Sequence, residues 1–321
     1  MTVYGDELFK RDHALTLEIF TAMPTPITCI AKSNDRLGEG CMWDEKAQVL
    51  WWLDIPLPSR IHKLDPTTGA HRSWQFNVIL TCMALKPDGT LLVGGEHGLY
   101  HFSPATGALT EFVQPETVKG NRGNDGAADA AGRFWFGTMQ QNIGPKGENL
   151  DITRNSGALY RVEKDGSSTK MFDDVGVSNG PCWSPDNKVF YFSDSRAQII
   201  WAFDFDVDTG AISNKRIHND TKNHGYPDGA TVDAEGFLWS ARWEGSCVLR
   251  IDPKGRIDRI VEMPATRPTC VCFGGAKLDT IYVTSSNAHV GGVVMKQYPL
   301  QGGVFCFDPH VKGFAKHLFG G

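Results

Sequence analysis

The chain repeats itself, and that repetition constrains its fold more than any other feature. Five segments share one template: an anchor residue, a short apolar strand, a turn of Asp, Gly or Asn, then a strand rich in aromatic and β-branched residues. They read EGCMWDEKAQVLWWLD from Glu39, TCMALKPDGTLLVGG from Thr81, NDGAADAAGRFWFGT from Asn124, NGPCWSPDNKVFYFSD from Asn179 and DGATVDAEGFLWSAR from Asp228. A weaker sixth copy, TCVCFGGAKLDTIYVTS, begins at Thr269. Successive anchors are 41 to 55 residues apart. In four copies a turn residue follows the anchor at one fixed spacing: Gly89, Gly132, Asn187 and Gly236.

Each copy carries further short strands, such as GLYHFSP, GALYRVEKDG, QIIWAFDFD, SCVLRIDPKG and GGVFCFDP. Short strands separated by Gly, Asp-Pro or Asp-Gly predict antiparallel meanders. Four strands per repeat of this length is the pattern of a propeller blade. Six repeats predict an all-β chain: a six-bladed β-propeller with four antiparallel strands per blade, one domain over residues 27–321. The last repeat is one strand short. The segment ITCI, Ile27 to Ile30, stands unpaired ahead of the first repeat and is predicted to complete it, closing the ring. Residues 1–26 read as an N-terminal extension, with a helix predicted at Ala14–Phe20.

Composition supports a globular chain. Of 321 residues, 41% are hydrophobic and 21% charged, and 32 Lys+Arg against 37 Asp+Glu give a net charge of −5. That mild acidity argues against a nucleic-acid partner, which favours concentrated basic patches. No apolar run approaches the roughly 20 residues that span a bilayer, and the N-terminus has no apolar core of signal-peptide type. These features lead us to expect a cytoplasmic protein without a membrane partner. The 8 cysteines form no paired C-x-x-C motifs, and are expected as buried reduced thiols.

Repeat phase also speaks to chemistry. Each anchor opens the strand that lines the central channel, so equivalent anchors sit at equivalent heights. Glu39, Thr81, Asn124, Asn179, Asp228 and Thr269 therefore form an expected ring of oxygen-bearing side chains. Two carboxylates and two amides withdrawn from water repel one another unless a cation lies between them. Oxygen donors without Cys or His favour Ca²⁺, Mg²⁺ or Mn²⁺, with Zn²⁺ and Fe²⁺ open. The alternative is that each anchor makes only a local Asx-turn.

Long strings then carry a resemblance. LGEGCMWD, NRGNDGAADAAGRFWFGTM, VSNGPCWSPDNKVFYFSDS, YPDGATVDAEGFLWSARW and CVCFGG with IYVTS resemble the gluconolactonase/regucalcin family, the senescence-marker-protein propellers. The match runs in order from about residue 27 to the C-terminus. It implies a six-bladed propeller that hydrolyses sugar lactones with one divalent cation in its channel. By this resemblance Glu39, Asn179 and Asp228 are metal ligands, and Asp228 doubles as the catalytic base. Arg122 and Asn124 of R-x-N-D-G correspond to substrate-contacting residues. Many relatives place a sugar-contacting carboxylate three residues after G-T-M; here that position is Asn142, in a longer loop spanning 140–155. The sugar preference of animal relatives therefore does not carry over.

Chemically, a lactone needs an electrophile for its carbonyl and a base for water. A bound cation suits the first and Asp228 the second, while Arg122 and Asn124 suit ring hydroxyls. For Arg122 the competing assignment is a surface ion pair. Other motifs carry less. DFDVDTG from Asp204 resembles the start of a calcium loop but lacks the sixth-position Gly, and its twelfth residue is Lys215; alternating Asp on a strand explains it better. His97 and His101 are expected on a strand, where they share no helical face. His289 in SSNAHVGG is expected as a solvated loop residue near the channel mouth. No nucleophile elbow, no P-loop and no GH…WD pair of scaffold propellers is present. Two other functions fit the pattern: a propeller arylesterase or phosphotriesterase, and a non-catalytic calcium-binding protein.

Overall fold

A computed structural model of the chain describes residues 26–321 except Lys146 and His289. Nearly all regular structure is strand, arranged as six separate four-stranded antiparallel sheets. The expected extension, its helix and His289 lie outside the described residues.

The inner strands are Gly38–Asp44, Leu80–Leu85, Asn121–Ala128, Ser178–Trp183, Tyr226–Val232 and Pro268–Gly274. Each packs on the inner strand of the next sheet, and the last packs on the first, so the sheets close as a ring. Five blades are continuous in sequence. In the sixth, Pro268–Gly274, Thr280–Ser285 and Val304–Phe307 are completed by Thr28–Ala31 on the outside. The predicted closing strand is thus present, one residue later than expected. It ties the two ends of the domain together and removes the open edge at which a ring of sheets would otherwise part.

The turn positions follow from the repeat. Gly89, Gly132, Asn187 and Gly236 all have positive φ, between 54° and 85°. That left-handed region admits Gly and Asn at least cost. Between blades the core is aromatic: Trp51, Trp52, Trp135 and Trp239 are fully buried. The indole N–H groups of Trp135 and Trp239 donate to Asp129 and Asp233 at 2.8 and 2.9 Å. Each aspartate also receives an arginine Nε, from Arg133 and Arg250 respectively. These two buried indoles and the aspartates beneath them are thereby satisfied.

DFDVDTG ends the strand Ile199–Asp206, with Asp204 bonded to Arg216 and Asn214 rather than gathered into a loop. His97 lies in a turn rather than on a strand, because Gly98 at φ 120° lets the hairpin reverse there; His101 is on the next strand. All eight cysteines are free thiols. No described helix is long and apolar enough to cross a membrane.

The C-terminal segment has no repeat counterpart. It crosses the end of the ring where the inner-strand turns lie. Lys312 O accepts from Ala234 N at 2.8 Å, Gly313 N donates to Leu278 O at 2.8 Å, Phe319 N to Leu85 O at 2.8 Å and Gly320 N to Gly132 O at 2.9 Å. One strap therefore bonds to four blades and covers that end of the channel, which leaves the anchor end as the way in.

Candidate active site

Every inner strand is interrupted at the anchor. Pairing with the second strand of the blade shifts register between Glu39 and Met42, Leu80 and Cys82, Gly123 and Gly126, Asn179 and Cys182, Pro227 and Ala230, and Pro268 and Val271. A bulge bends its strand and re-aims one side chain. Here six bulges recur in one phase of the repeat. Glu39 and Asn179 are each followed by a glycine at φ 58° and 57°, Gly40 and Gly180. This conformation is costly for other residues.

The bulges open on a cavity of about 530 Å³, lined by Glu39, Asn124, Asn179, Asp228, Arg122 and Asn142 among others. The six residues given a metal, substrate or catalytic role in the sequence thus line one cavity. The ring of six anchors is corrected to four: Thr81 and Thr269 are buried but do not line it. Thr269 Oγ1 instead bonds to Gly38 O and to Thr284 Oγ1 at 2.9 Å, and Thr81 Oγ1 turns towards Cys82. Shared phase places their Cα atoms alike, but a short hydroxyl finds a neighbour before it reaches the axis.

A chain of hydrogen bonds connects the rest. Arg122 donates from Nη1 to Asn124 Oδ1 and to Gly123 O, both at 2.7 Å. Asn124 Nδ2 donates to Asn179 Oδ1 at 3.0 Å and to Ser178 O at 2.7 Å. Asn179 Nδ2 donates to Ser195 Oγ at 2.7 Å, and that hydroxyl to Pro227 O at 2.5 Å. Each amide is thereby fixed in orientation, with Asn179 Oδ1 keeping acceptor capacity for a second partner. Arg122 is only 2% exposed, so it is not a surface ion-pair residue. Burial pulls its guanidinium down to about 10, against the charges of Glu39 and Glu96, and it stays cationic at neutral pH.

The electrostatics single out the carboxylates. Glu39 is 9% exposed and Asp228 7%. Glu39 accepts from Gly40 N at 2.9 Å and Asp228 from the Gly229 backbone. Burial first, and then the charge of Asp228, pushes Glu39 well above the usual carboxylate range. Burial first, and then the charge of Asp125, does the same to Asp228. Such a pair needs protons or a cation between its members. The donor set offers two carboxylate groups and the free lone pair of Asn179 Oδ1, all hard oxygens without thiolate or imidazole. It fits a divalent cation of the Ca²⁺ or Mg²⁺ type, with water completing the shell. Among the described residues no group of three or more His, Cys, Asp and Glu side chains is placed to hold a metal, so a cation here would need the amide of Asn179 as its third donor.

Several lining residues carried no usable signal in the sequence. Asp125, inside R-x-N-D-G, lies beside the carboxylate pair and accepts from Gly126 N at 2.7 Å and Gly180 N at 2.8 Å. It also borders a small chamber on the strap side, together with Gly40, Cys270 and Lys316, and the charge of Lys316 opposes the upward push of burial on its carboxyl. Ser195 was hidden at the end of FSDS, although its bond to Asn179 orients that amide. Loop 140–155 roofs the cavity with Ile143, Leu150 and Ile152. Asn142 is in this loop, and its Oδ1 accepts from both Arg122 Nε at 3.2 Å and Nη2 at 2.7 Å. That oxygen is thus committed to Arg122.

Comparison with known proteins agrees with this architecture. Residues 37–287 match the SMP-30/Gluconolactonase/LRE-like region. The 6-deoxy-6-sulfogluconolactonase of Pseudomonas putida is 35% identical over 302 residues, covering 93% of this chain and all of that one. Human regucalcin is 33% identical over 300 residues, 92% of this chain and 98% of its own. Among solved structures, a regucalcin from Agrobacterium tumefaciens, described as a calcium-binding protein, superposes with a TM-score of 0.84 at 29% identity, covering 92% of this chain and 98% of that one. Bulged inner strands, an oxygen-lined cavity and a match across the ring lead to one conclusion: the chain belongs to the SMP-30/gluconolactonase/LRE-like family of six-bladed propellers.

Proposed function

We propose that the protein hydrolyses a sugar aldonolactone to its aldonic acid, as an enzyme of carbohydrate catabolism that uses one divalent cation. The observation that carries this reading is the pair of buried carboxylates, Glu39 and Asp228, beside an oriented Asn179 and a buried Arg122 in one cavity. The lactonase relative from P. putida supports it.

Glu39, Asn179 and Asp228 would hold the cation. When bound, it supplies Lewis-acid polarisation of the ester carbonyl. Asp228 accepts a proton on its carboxylate as water adds to the carbonyl carbon, and returns it to the ring oxygen as the ester C–O bond breaks. Arg122 and Asn124 hold polar substituents of the sugar, and their mutual bond limits the freedom lost on binding. Asn142 acts through Arg122 by keeping the guanidinium in plane. The apolar roof of loop 140–155 reduces the water around the reacting ester. Eight free thiols suit the reducing cytoplasm.

The test is a pH-indicator screen of aldonolactones with metal-stripped protein, restoring one cation at a time. Turnover above the spontaneous rate, dependent on the added cation, is expected. The Agrobacterium relative described as calcium-binding motivates a second reading, calcium binding without catalysis. Stoichiometric cation uptake with no turnover of any lactone would favour it.

A further inference from the structure

Four arginines line the cavity: Arg36, Arg122, Arg196 and Arg267. Among the described residues only Arg267 has a carboxylate partner, Glu244 at 2.7 Å. The other three each bond to a neutral oxygen of one segment, loop 140–155. Arg122 holds Asn142 Oδ1, Arg36 Nη2 donates to Gly147 O at 2.8 Å, and Arg196 Nη1 donates to Asn155 Oδ1.

Arg122 is the informative one. At 2% exposed, it has little water to solvate its charge. An aspartate at position 142 would match asparagine in shape and give the bidentate charged pair that buried arginines usually make. The chain places an amide there instead. Glu39 and Glu96 lie near enough for their charges to act on Arg122, but Glu96 accepts from Gln141 Nε2 at 3.3 Å and, in the lactonase reading, the charge of Glu39 is shared with the cation. A buried cation left without a dedicated counter-ion is costly, so an anion arriving with the ligand gains most at this point. Arg36, on blade one, faces the same stretch of loop. Arg196, on blade four, adds positive field from the opposite wall.

The geometry points to a substrate that carries its own negative charge: an aldonolactone with a carboxylate, sulfonate or phosphate remote from the ring ester, received beneath loop 140–155 by Arg122 and Arg36. This rests on the lactonase reading. It assigns Asn142 a specificity role, because a neutral residue at 142 leaves the guanidinium charge for the substrate.

The test compares kcat/KM of the metal-restored enzyme for glucono-lactone and for its 6-carboxylate, 6-sulfonate and 6-phosphate counterparts. At least one anionic lactone is expected to exceed the neutral one by about tenfold or more, with a KM that rises with ionic strength. The best of the three identifies the anion. Asn142→Asp is expected to reduce the anionic-to-neutral ratio by about tenfold, and Arg36→Gln several-fold. The ratio within one preparation does not depend on how much of a variant is folded. A neutral lactone as good as every anionic one, or an unchanged ratio in Asn142→Asp, overturns this inference alone. Turnover of none of the four, nor of any other aldonolactone in the screen above, overturns the lactonase reading beneath it.

Discussion

Alanine at Gly180 is the most direct probe of the bulges that aim the site. Gly180 follows Asn179 at φ 57°, and a Cβ there would lie 2.9 Å from Ala230 Cβ and 3.0 Å from Asp228 O. The left-handed backbone costs a non-glycine residue about 1–2 kcal/mol, and forced overpacking adds about 1–3 kcal/mol. Gly180→Ala is therefore expected to destabilise by about 2–5 kcal/mol. Both atoms in the way belong to the Asp228 strand, so relief of the clash moves Asp228 away from Asn179. Gly40 provides an internal control. It follows Glu39 at φ 58°, but the nearest atom to its added Cβ is Leu53 Cδ1 at 3.5 Å, ordinary contact. Gly40→Ala is expected to show the backbone term alone, about 1–2 kcal/mol. Urea unfolding gives both values, and isothermal calorimetry with Ca²⁺ gives the accompanying change in cation affinity. Equal costs for the two variants, or a Gly180→Ala protein that binds the cation as wild type does, would refute the reasoning.

Two further outcomes follow from other parts of the molecule. Phe319 of the strap is buried and packs edge-on against Phe134 at 6.4 Å and Phe112 at 6.1 Å; Phe319→Ala is expected to cost about 3 kcal/mol in urea unfolding, and a loss under about 1 kcal/mol would show that the strap is not part of the cooperative unit. His218 packs at a tilt against Tyr191, ring centroids 4.8 Å apart, and burial holds its imidazole down to about 4 against an ordinary 6.5. Between those values the unfolded chain binds a proton that the folded chain does not, so stability falls as pH drops from 6.5 to 4, by about 1–3 kcal/mol from this residue. His218→Phe is expected to flatten that dependence in urea titrations at pH 7, 5.5 and 4.5; an unchanged slope contradicts the assignment.

The ring of blades was legible because a blade cannot bury its faces alone, so its pattern recurs with its neighbours. The positive-φ residues Gly89, Gly132, Asn187 and Gly236 mark where each hairpin reverses. The closing strand was legible as an apolar segment with no partner of its own. Candidate residues on the repeats, Glu39, Asn124, Asn179 and Asp228, were legible for the same reason. Thr81 and Thr269 share their phase yet stay out of the cavity, because phase positions a backbone and not the partner that a hydroxyl prefers. Residues contributed by non-repeating segments gave no such signal. The path of loop 140–155 over the cavity depends on Arg36, Arg122 and Arg196, which lie on three different blades. The strap is held by backbone bonds to four turns as well as by scattered apolar side chains such as Phe319, and neither leaves a periodic pattern in its sequence.

The central claim is that Asp228 activates water on a lactone at a cation site built from Glu39, Asn179 and Asp228. Asp228→Asn separates its two roles, since an amide oxygen can still ligate a cation but cannot take up a proton at neutral pH. The decisive measurement is kcat of Asp228→Asn on the best lactone, at a cation concentration where binding is shown to be complete, corrected for spontaneous opening. A fall of about 10²–10⁴-fold is expected for loss of a positioned base. A cation-loaded variant with near wild-type kcat would contradict the account.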